Sequence, residues 1–389
     1  VSRRIPAHVR PGDLVARMGG DEFAVLLHHM NDPNTATDLA ERLQDVLRLP
    51  MHIGGVAVAT SASMGITFSS LGYTAPEEML RDADTAMYRA KASGKARCAL
   101  FDAALHTEVS NRLQLENDLR AAIAQETLDI VYQPLFHIGN GRLRGFEALT
   151  RWNHPTRGPI PPSIFIPIAE ESGLIIELSD LVLVRACRQL RLWQEIDPSL
   201  RDLKLQVNMS AADLAHSALF ERVARALRST HFTPHLLTLE LTESILMTGV
   251  ESALPALDAL RRLGVSLAID DFGTGYSSLS YLSTLPIDSL KIDRSFVHGM
   301  RLGSKDAEIV RAIVSLGATL GKSVVAEGIE TVSQLAQLRE LGCEHGQGFH
   351  LSQPLTAADA QVLLEMIVAE GRERHHSSFD TGMMPLMRH

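Results

Sequence analysis

From residue 128 onward the chain alternates strand-like and helix-like segments, and that rhythm leaves few folds open. Short aliphatic runs fall at 128–132, 142–149, 203–208, 236–241, 265–270, 288–292, 323–326 and 345–349. Most later gaps carry apolar residues at helical spacing, at 178–195, 211–227, 252–263, 307–320 and 331–341. Eight strands alternating with helices across residues 127–371 predict an α/β fold, a TIM-type (β/α)8 barrel. The turn Gly139-Asn140-Gly141 joins the first two strands as a hairpin, so this early pair is expected to be antiparallel. An open doubly wound sheet is the competing architecture. It would carry a glycine-rich phosphate turn after its first strand, and none is present.

A buried barrel strand should be apolar to its end, yet these strands finish in acids and amides. Glu147 closes the second, Asn208 the third, Glu240 sits near the end of the fourth, and Asp270-Asp271 close the fifth. Lys291 lies near the end of the sixth, Glu327 comes just after the seventh, and Gln347 lies in the eighth. In a barrel these ends converge on one face, where active sites of the fold lie. Carboxylates gathered there repel one another unless a cation sits among them. Oxygen donors without thiolates favour Mg²⁺, Mn²⁺ or Ca²⁺. Adjacent Asp270 and Asp271 suit a pair of ions, and two ions stabilise both the attacking and the leaving oxygen in phosphodiester hydrolysis. Lys291 would add positive charge beside the reacting phosphorus.

Composition narrows the setting. Against 46 acidic residues stand 37 basic ones, a net charge of −9 that disfavours a general grip on duplex nucleic acid. Cys98, Cys187 and Cys343 lie far apart, which speaks against a disulfide framework. No apolar run approaches the ~18 residues of a membrane span, and the first residues lack a signal-peptide core. A cytoplasmic setting with no membrane contact from this chain is expected. A membrane anchor on a longer parent stays open.

The blocks carrying the strand-end residues resemble the EAL family of cyclic di-GMP phosphodiesterases. They are Tyr132-Gln133-Pro134, Glu147-Ala148-Leu149 with Thr150-Arg151-Trp152, Val207-Asn208-Met209-Ser210 and Glu240-Leu241-Thr242-Glu243-Ser244. Asp270-Asp271-Phe272-Gly273-Thr274-Gly275, Lys291-Ile292-Asp293, Ala326-Glu327-Gly328-Ile329-Glu330 and Gly346-Gln347-Gly348 complete the series. The resemblance implies Glu147, Asn208, Glu240, Asp270 and Asp271 as ligands of two Mg²⁺ or Mn²⁺ ions, with Ca²⁺ inhibitory. It implies Lys291 and Glu327 as the groups that position or activate the attacking water. Gln133, Arg151 and Gln347 would hold the dinucleotide, Arg151 through its fork of donors. Glu243 would couple the loop after Asp271 to a homodimer interface on the barrel. Thr150 and His350 depart from the commoner residues of the family, at positions that are not ligands. The implied activity is hydrolysis of cyclic di-GMP to linear pGpG in bacterial second-messenger signalling. A receptor that binds without cutting and a regulatory part of a longer diguanylate cyclase are the alternatives.

Residues 1–103 resemble the C-terminal portion of a GGDEF domain, the diguanylate cyclase module, an α+β fold. Gly19-Gly20-Asp21-Glu22-Phe23 is intact, and a late block ends in Ala90-Lys91. Asp21 would hold Mg²⁺ and Lys91 a triphosphate. Arg10 and Asp13 match the family's product-inhibition pattern. Only 18 residues precede Gly19, so a partial, N-terminally truncated domain without cyclase activity of its own is expected, with exposed apolar faces. Helical spacing from Leu105 to Ile123 predicts a linker helix over 104–126. Residues 372–389, without periodicity, are expected to form a disordered tail.

Overall fold

In a computed structural model the chain is described apart from residues 29–32, 54, 55, 59, 102, 244–249, 276–281, 283, 302 and 381–389. Two units emerge, Val1–Leu115 and Glu116–His389. In the first, β1 (Leu14–Gly19) and β2 (Glu22–Leu26) form an antiparallel hairpin about Gly19 and Gly20. β3 (Met51–Ile53) pairs antiparallel with β4 (Val56–Val58); the sequence between them reads as a Gly54-Gly55 turn, which lies outside the described residues. Two further strands, β5 (Met64–Ile66) and β6 (Cys98–Leu100), are too short to show a pattern in the sequence. They run parallel because helix Pro76–Ala92 makes the crossover between them. Gly65 permits that packing, since a Cβ there would fall 1.9 Å from the Ala83 carbonyl oxygen. The connecting helix runs Ala103–Ala124.

The second unit is a closed barrel. Its strands are β7 (Asp129–His137), β8 (Leu143–His154), β10 (Lys204–Met209), β11 (Leu237–Thr242), β12 (Ser266–Phe272), β13 (Ser289–Ile292), β14 (Ser323–Ala326) and β15 (His345–Gly346). Around the ring the order is β7-β8-β10-β11-β12-β13-β14-β15, returning to β7, with β9 (Gly158–Ile160) appended to β8. β7 is antiparallel to both neighbours, as the Gly139–Gly141 turn requires, and the other ring pairs are parallel. Trp193, on helix Ile175–Gln194, seals the outside of the hairpin. Its ring centroid lies 4.8 Å from Tyr132 and 5.0 Å from Phe146.

Closure between β8 and β10 depends on Gly145. A Cβ there would lie 2.0 Å from the Lys204 carbonyl oxygen, backbone that cannot swing aside. Gly145→Ala is therefore expected to lower barrel stability by about 1–3 kcal/mol or more, read as an earlier urea midpoint. An unchanged midpoint would mean that the strands do not approach this closely.

Several boundaries differ from expectation. β8 runs to His154 because its far half pairs with β7 and β9, so Glu147 lies within the strand rather than at its end. The expected helix 211–227 is two helices, Ala211–Ala215 and Leu219–Thr230. Helix Pro162–Ser172 occupies what reads in the sequence as an apolar run, its helical pattern interrupted by Pro167. The final helix, Ala357–Asp380, extends into the expected tail, and residues 381–389 lie outside the described ones.

Candidate active site

The parallel strands present their carboxyl ends at one mouth, and the strand-end residues meet there around Lys291. This lysine on β13 is fully buried. Its Nζ lies 2.7 Å from Glu327 Oε1, 2.8 Å from Glu240 Oε2, and 3.3 Å from both Glu147 Oε2 and Asp270 Oδ1. Four acids, three on strands and Glu327 just after β14, thus share one ammonium. Amides complete the ring. Asn208 Nδ2 donates to Glu147 Oε1 at 2.8 Å, and Gln347 Nε2 donates to Glu147 Oε2 at 2.6 Å and Glu327 Oε1 at 2.9 Å. Asp271 comes next in a left-handed backbone conformation, φ +54°, with its N–H donating to Asp270 Oδ1. A non-glycine residue held there stores strain, a feature that clusters at functional sites.

The cluster carries more negative charge than Lys291 balances. Glu240 Oε1 is buried with no hydrogen-bond partner, an orphan acceptor of the kind a cation ligand leaves. Carboxylate oxygens of Asp270, Asp271 and Glu327 lie within 4.8 Å of one another. This donor set of hard oxygens fits a divalent cation of the Mg²⁺ or Mn²⁺ kind.

Electrostatics separate the acids. Burial lifts Glu240 well above the usual carboxylate range, reinforced by its acidic neighbours. Burial, with repulsion from Asp270 and Glu147, pushes Glu327 up to about 8 despite Lys291. Burial and Asp270 raise Asp271 to about 6. Burial acts on Glu147 too, but Lys291 and the Gln347 and Asn208 amides overcome it and hold this acid low. Burial would pull the Lys291 ammonium down, and the four carboxylates instead hold it well above its usual value.

These shifts make stability depend on pH. Glu327 and Asp271 bind protons more tightly folded than unfolded, while His345, lowered to about 4 by burial, opposes them below about pH 6.5, so between about pH 6.5 and 8 the folded state carries more protons. Stability therefore falls as pH rises through that window. In chelator, the barrel is expected to lose on the order of 2 kcal/mol between about pH 6.5 and 8.5. Thermal melts at the two pH values check this. A higher melting temperature at the upper pH would contradict it.

The other candidate residues lie around this cluster or apart from it. Gln133, on β7 opposite Glu147, donates from Nε2 to the Ser352 carbonyl at 3.0 Å. Arg151 is half-buried farther along β8, with Nη1 donating to the Thr150 carbonyl at 2.9 Å. Gln347 lies inside the acid cluster rather than on its rim. Glu243 Oε2 accepts the N–H groups of Gly273 (2.8 Å) and Gly275 (3.3 Å), pinning the loop after Asp271. Asp293 joins the site without having been singled out by the sequence pattern. It shares a hydrogen bond with the Asp271 carboxyl, and its place two residues after Lys291 is the signal that could have found it.

In the first unit, Gly19 ends β1, Gly20 turns at φ +49°, and Asp21, Glu22 and Lys91 are exposed. Asp13 accepts the N–H groups of Arg10 (2.9 Å) and His28 (3.1 Å), so its carboxylate shapes a turn. These residues lie in a different unit from the barrel.

Comparison with known proteins places both units. The EAL domain model matches residues 116–354, and the "Diguanylate cyclase, GGDEF domain" model matches residues 1–97. "Bifunctional diguanylate cyclase/cyclic di-GMP phosphodiesterase MucR" of Pseudomonas aeruginosa is 44% identical over 92% of this chain and 52% of its own length. "Cyclic di-GMP phosphodiesterase NbdA" of the same organism is 40% identical over 94% of this chain and 46% of its own. The chain thus spans about half the length of these curated relatives. A solved structure described as "PaMucR Phosphodiesterase, c-di-GMP complex" is 46% identical, with a TM-score of 0.61. The match covers 64% of this chain and 99% of that one. Among the described residues no helix is long and apolar enough to cross a membrane.

Proposed function

This chain belongs to the EAL domain family, and from that premise we propose that it hydrolyses cyclic di-GMP to linear pGpG. One observation carries the proposal. Glu147, Asn208, Glu240, Asp270, Asp271, Lys291, Glu327 and Gln347 meet at one barrel mouth with an unbalanced negative charge. No acid of the set is lost, nor is the lysine, which favours turnover over silent binding. The match to a solved phosphodiesterase described as a cyclic di-GMP complex supports the same ligand.

Glu147, Asn208, Glu240, Asp270 and Asp271 would hold Mg²⁺ or Mn²⁺, with Glu327 at the edge of the set. Bound there, such a cation supplies Lewis acidity and lowers the pKa of water. Glu327, bonded by Gln347 and paired with Lys291 at the edge of the set, would position the attacking water and accept its proton. Lys291 places fixed positive charge against the anion that develops at phosphorus. Water oxygen bonds to phosphorus, the bond to the ribose 3′ oxygen breaks in line, and that oxygen leaves carrying a proton. Arg151 offers a fork for a phosphate, and Gln133 an amide at the rim. By the same reading Glu243 sets the loop that follows Asp271, and a barrel homodimer is the assembly it would answer to.

The test is incubation of the chain with cyclic di-GMP and Mg²⁺, with products separated by chromatography. Accumulation of pGpG is expected. Intact cyclic di-GMP after prolonged incubation in either Mg²⁺ or Mn²⁺ would overturn the proposal.

A further inference from the structure

Asn208 is solvent-exposed at the mouth, between buried Val207 and buried Met209, so side-chain packing does not hold it. The residues just beyond it, at the exit of β10, are tied down by a dense set of buried hydrogen bonds. Ser210 caps helix Ala211–Ala215, and the Asp213 Oδ2 atom accepts both its N–H (3.0 Å) and its Oγ–H (2.7 Å). Asp213 is itself fully buried. The same Oδ2 accepts Ser179 Oγ–H at 2.7 Å, and Oδ1 accepts Arg222 Nη2–H at 2.9 Å. Arg222, also buried, donates further to Asp180 Oδ1 (2.7 Å) and the Ile176 carbonyl (2.9 Å), and its Nη1 is buried without a partner.

Capping a five-residue helix does not call for this. A serine and an acid suffice for a capping box, and a buried ion pair is weak evidence for stability, since apolar residues of similar volume often stabilise as well. What an ion pair adds is one fixed geometry. This one ties the exit of β10 to helices Ile175–Gln194 and Leu219–Thr230.

We propose that the Arg222–Asp213–Ser210 network is a positioning device for Asn208, holding the end of β10 so that the Asn208 amide bonds Glu147 through Nδ2 and turns Oδ1 to a divalent cation. The inference rests on the reading of this mouth as a cation site. Partners of this outer kind typically change metal affinity or activity by about 10–100-fold when removed.

The experiment tracks the thermal melt of the full chain against Mg²⁺ concentration, alongside the Mg²⁺ dependence of cyclic di-GMP cleavage. Two variants are used because one alone could simply unfold. Ser210→Ala keeps the ion pair and cuts the clamp. The double variant Arg222→Met with Asp213→Asn removes both charges together. In each, the Mg²⁺ concentration giving half the melt shift is expected to rise about 10-fold or more, as is the half-saturation for cleavage. KM for cyclic di-GMP at saturating Mg²⁺ should stay within about 2-fold, and Ser210→Thr, which keeps the hydroxyl, should return the Mg²⁺ midpoint to near that of the unsubstituted chain. Lower melting temperatures with an unchanged Mg²⁺ midpoint would make the network merely structural and overturn the inference alone. An unsubstituted chain whose melt ignores Mg²⁺ would overturn the cation site and the inference together.

Discussion

Lys291→Met is expected to abolish cleavage of cyclic di-GMP, lowering kcat by about 10³-fold or more at saturating substrate and Mg²⁺. The side chain sits at the centre of Glu147, Glu240, Asp270 and Glu327, within 3.3 Å of an oxygen on each. Methionine keeps the length and removes the charge, so loss of the developing-anion contact can be separated from loss of bulk. The same change strips the acids of their one shared ammonium. Breaking a buried pair on one side costs about 3–5 kcal/mol, because the abandoned charges stay buried. In chelator the variant should therefore melt well below the parent chain, and Mg²⁺ should recover more of the difference than it adds to the parent. Cleavage within about 10-fold of the parent, or equal melting temperatures in chelator, would remove Lys291 from the account.

Removal of divalent cation gives the second large effect. Chelator should stop turnover completely, and Mg²⁺ or Mn²⁺ should restore it. Binding to the folded state alone also adds stability, about 2.7 kcal/mol at a concentration 100 times the dissociation constant. A rise in melting temperature with Mg²⁺ is thus expected even without nucleotide. It should vanish in Asp270→Asn with Asp271→Asn, where the neutral amides relieve the repulsion that the cation would otherwise offset. Turnover persisting in excess chelator would show that the acids act without metal.

The barrel is legible in the sequence because its periodicity is strict. β14 appears there at the bounds it has in the fold, and the Gly139–Gly141 turn fixes the direction of β7 against β8. The convergence of acids is legible for the same reason: residues that punctuate successive βα units must share a face. Quantities set by three-dimensional packing are not legible in this way. The strand position of Lys291 predicts a positive charge at the barrel mouth, but nothing in Leu290-Lys291-Ile292 shows that four carboxylates from other parts of the barrel close over it. Gln347 reads as a substrate contact, and only the approach of β15 to the acid of β8 reveals that its amide is engaged by Glu147 and Glu327. The Asp213–Arg222 pair is hidden because a buried arginine on an amphipathic helix reads as a surface residue until its helix is packed.

The central claim is that this mouth, with Lys291 already inside, still holds divalent cation against a phosphate ester. Anomalous scattering from crystals soaked in Mn²⁺ tests it most directly. The account predicts a manganese peak between Asp270 and Asp271, with oxygen ligands at about 2.0–2.3 Å that include Glu240 Oε1. A difference map in which those carboxylates keep their contacts with Lys291 and no manganese lies among them, at millimolar Mn²⁺, would contradict it.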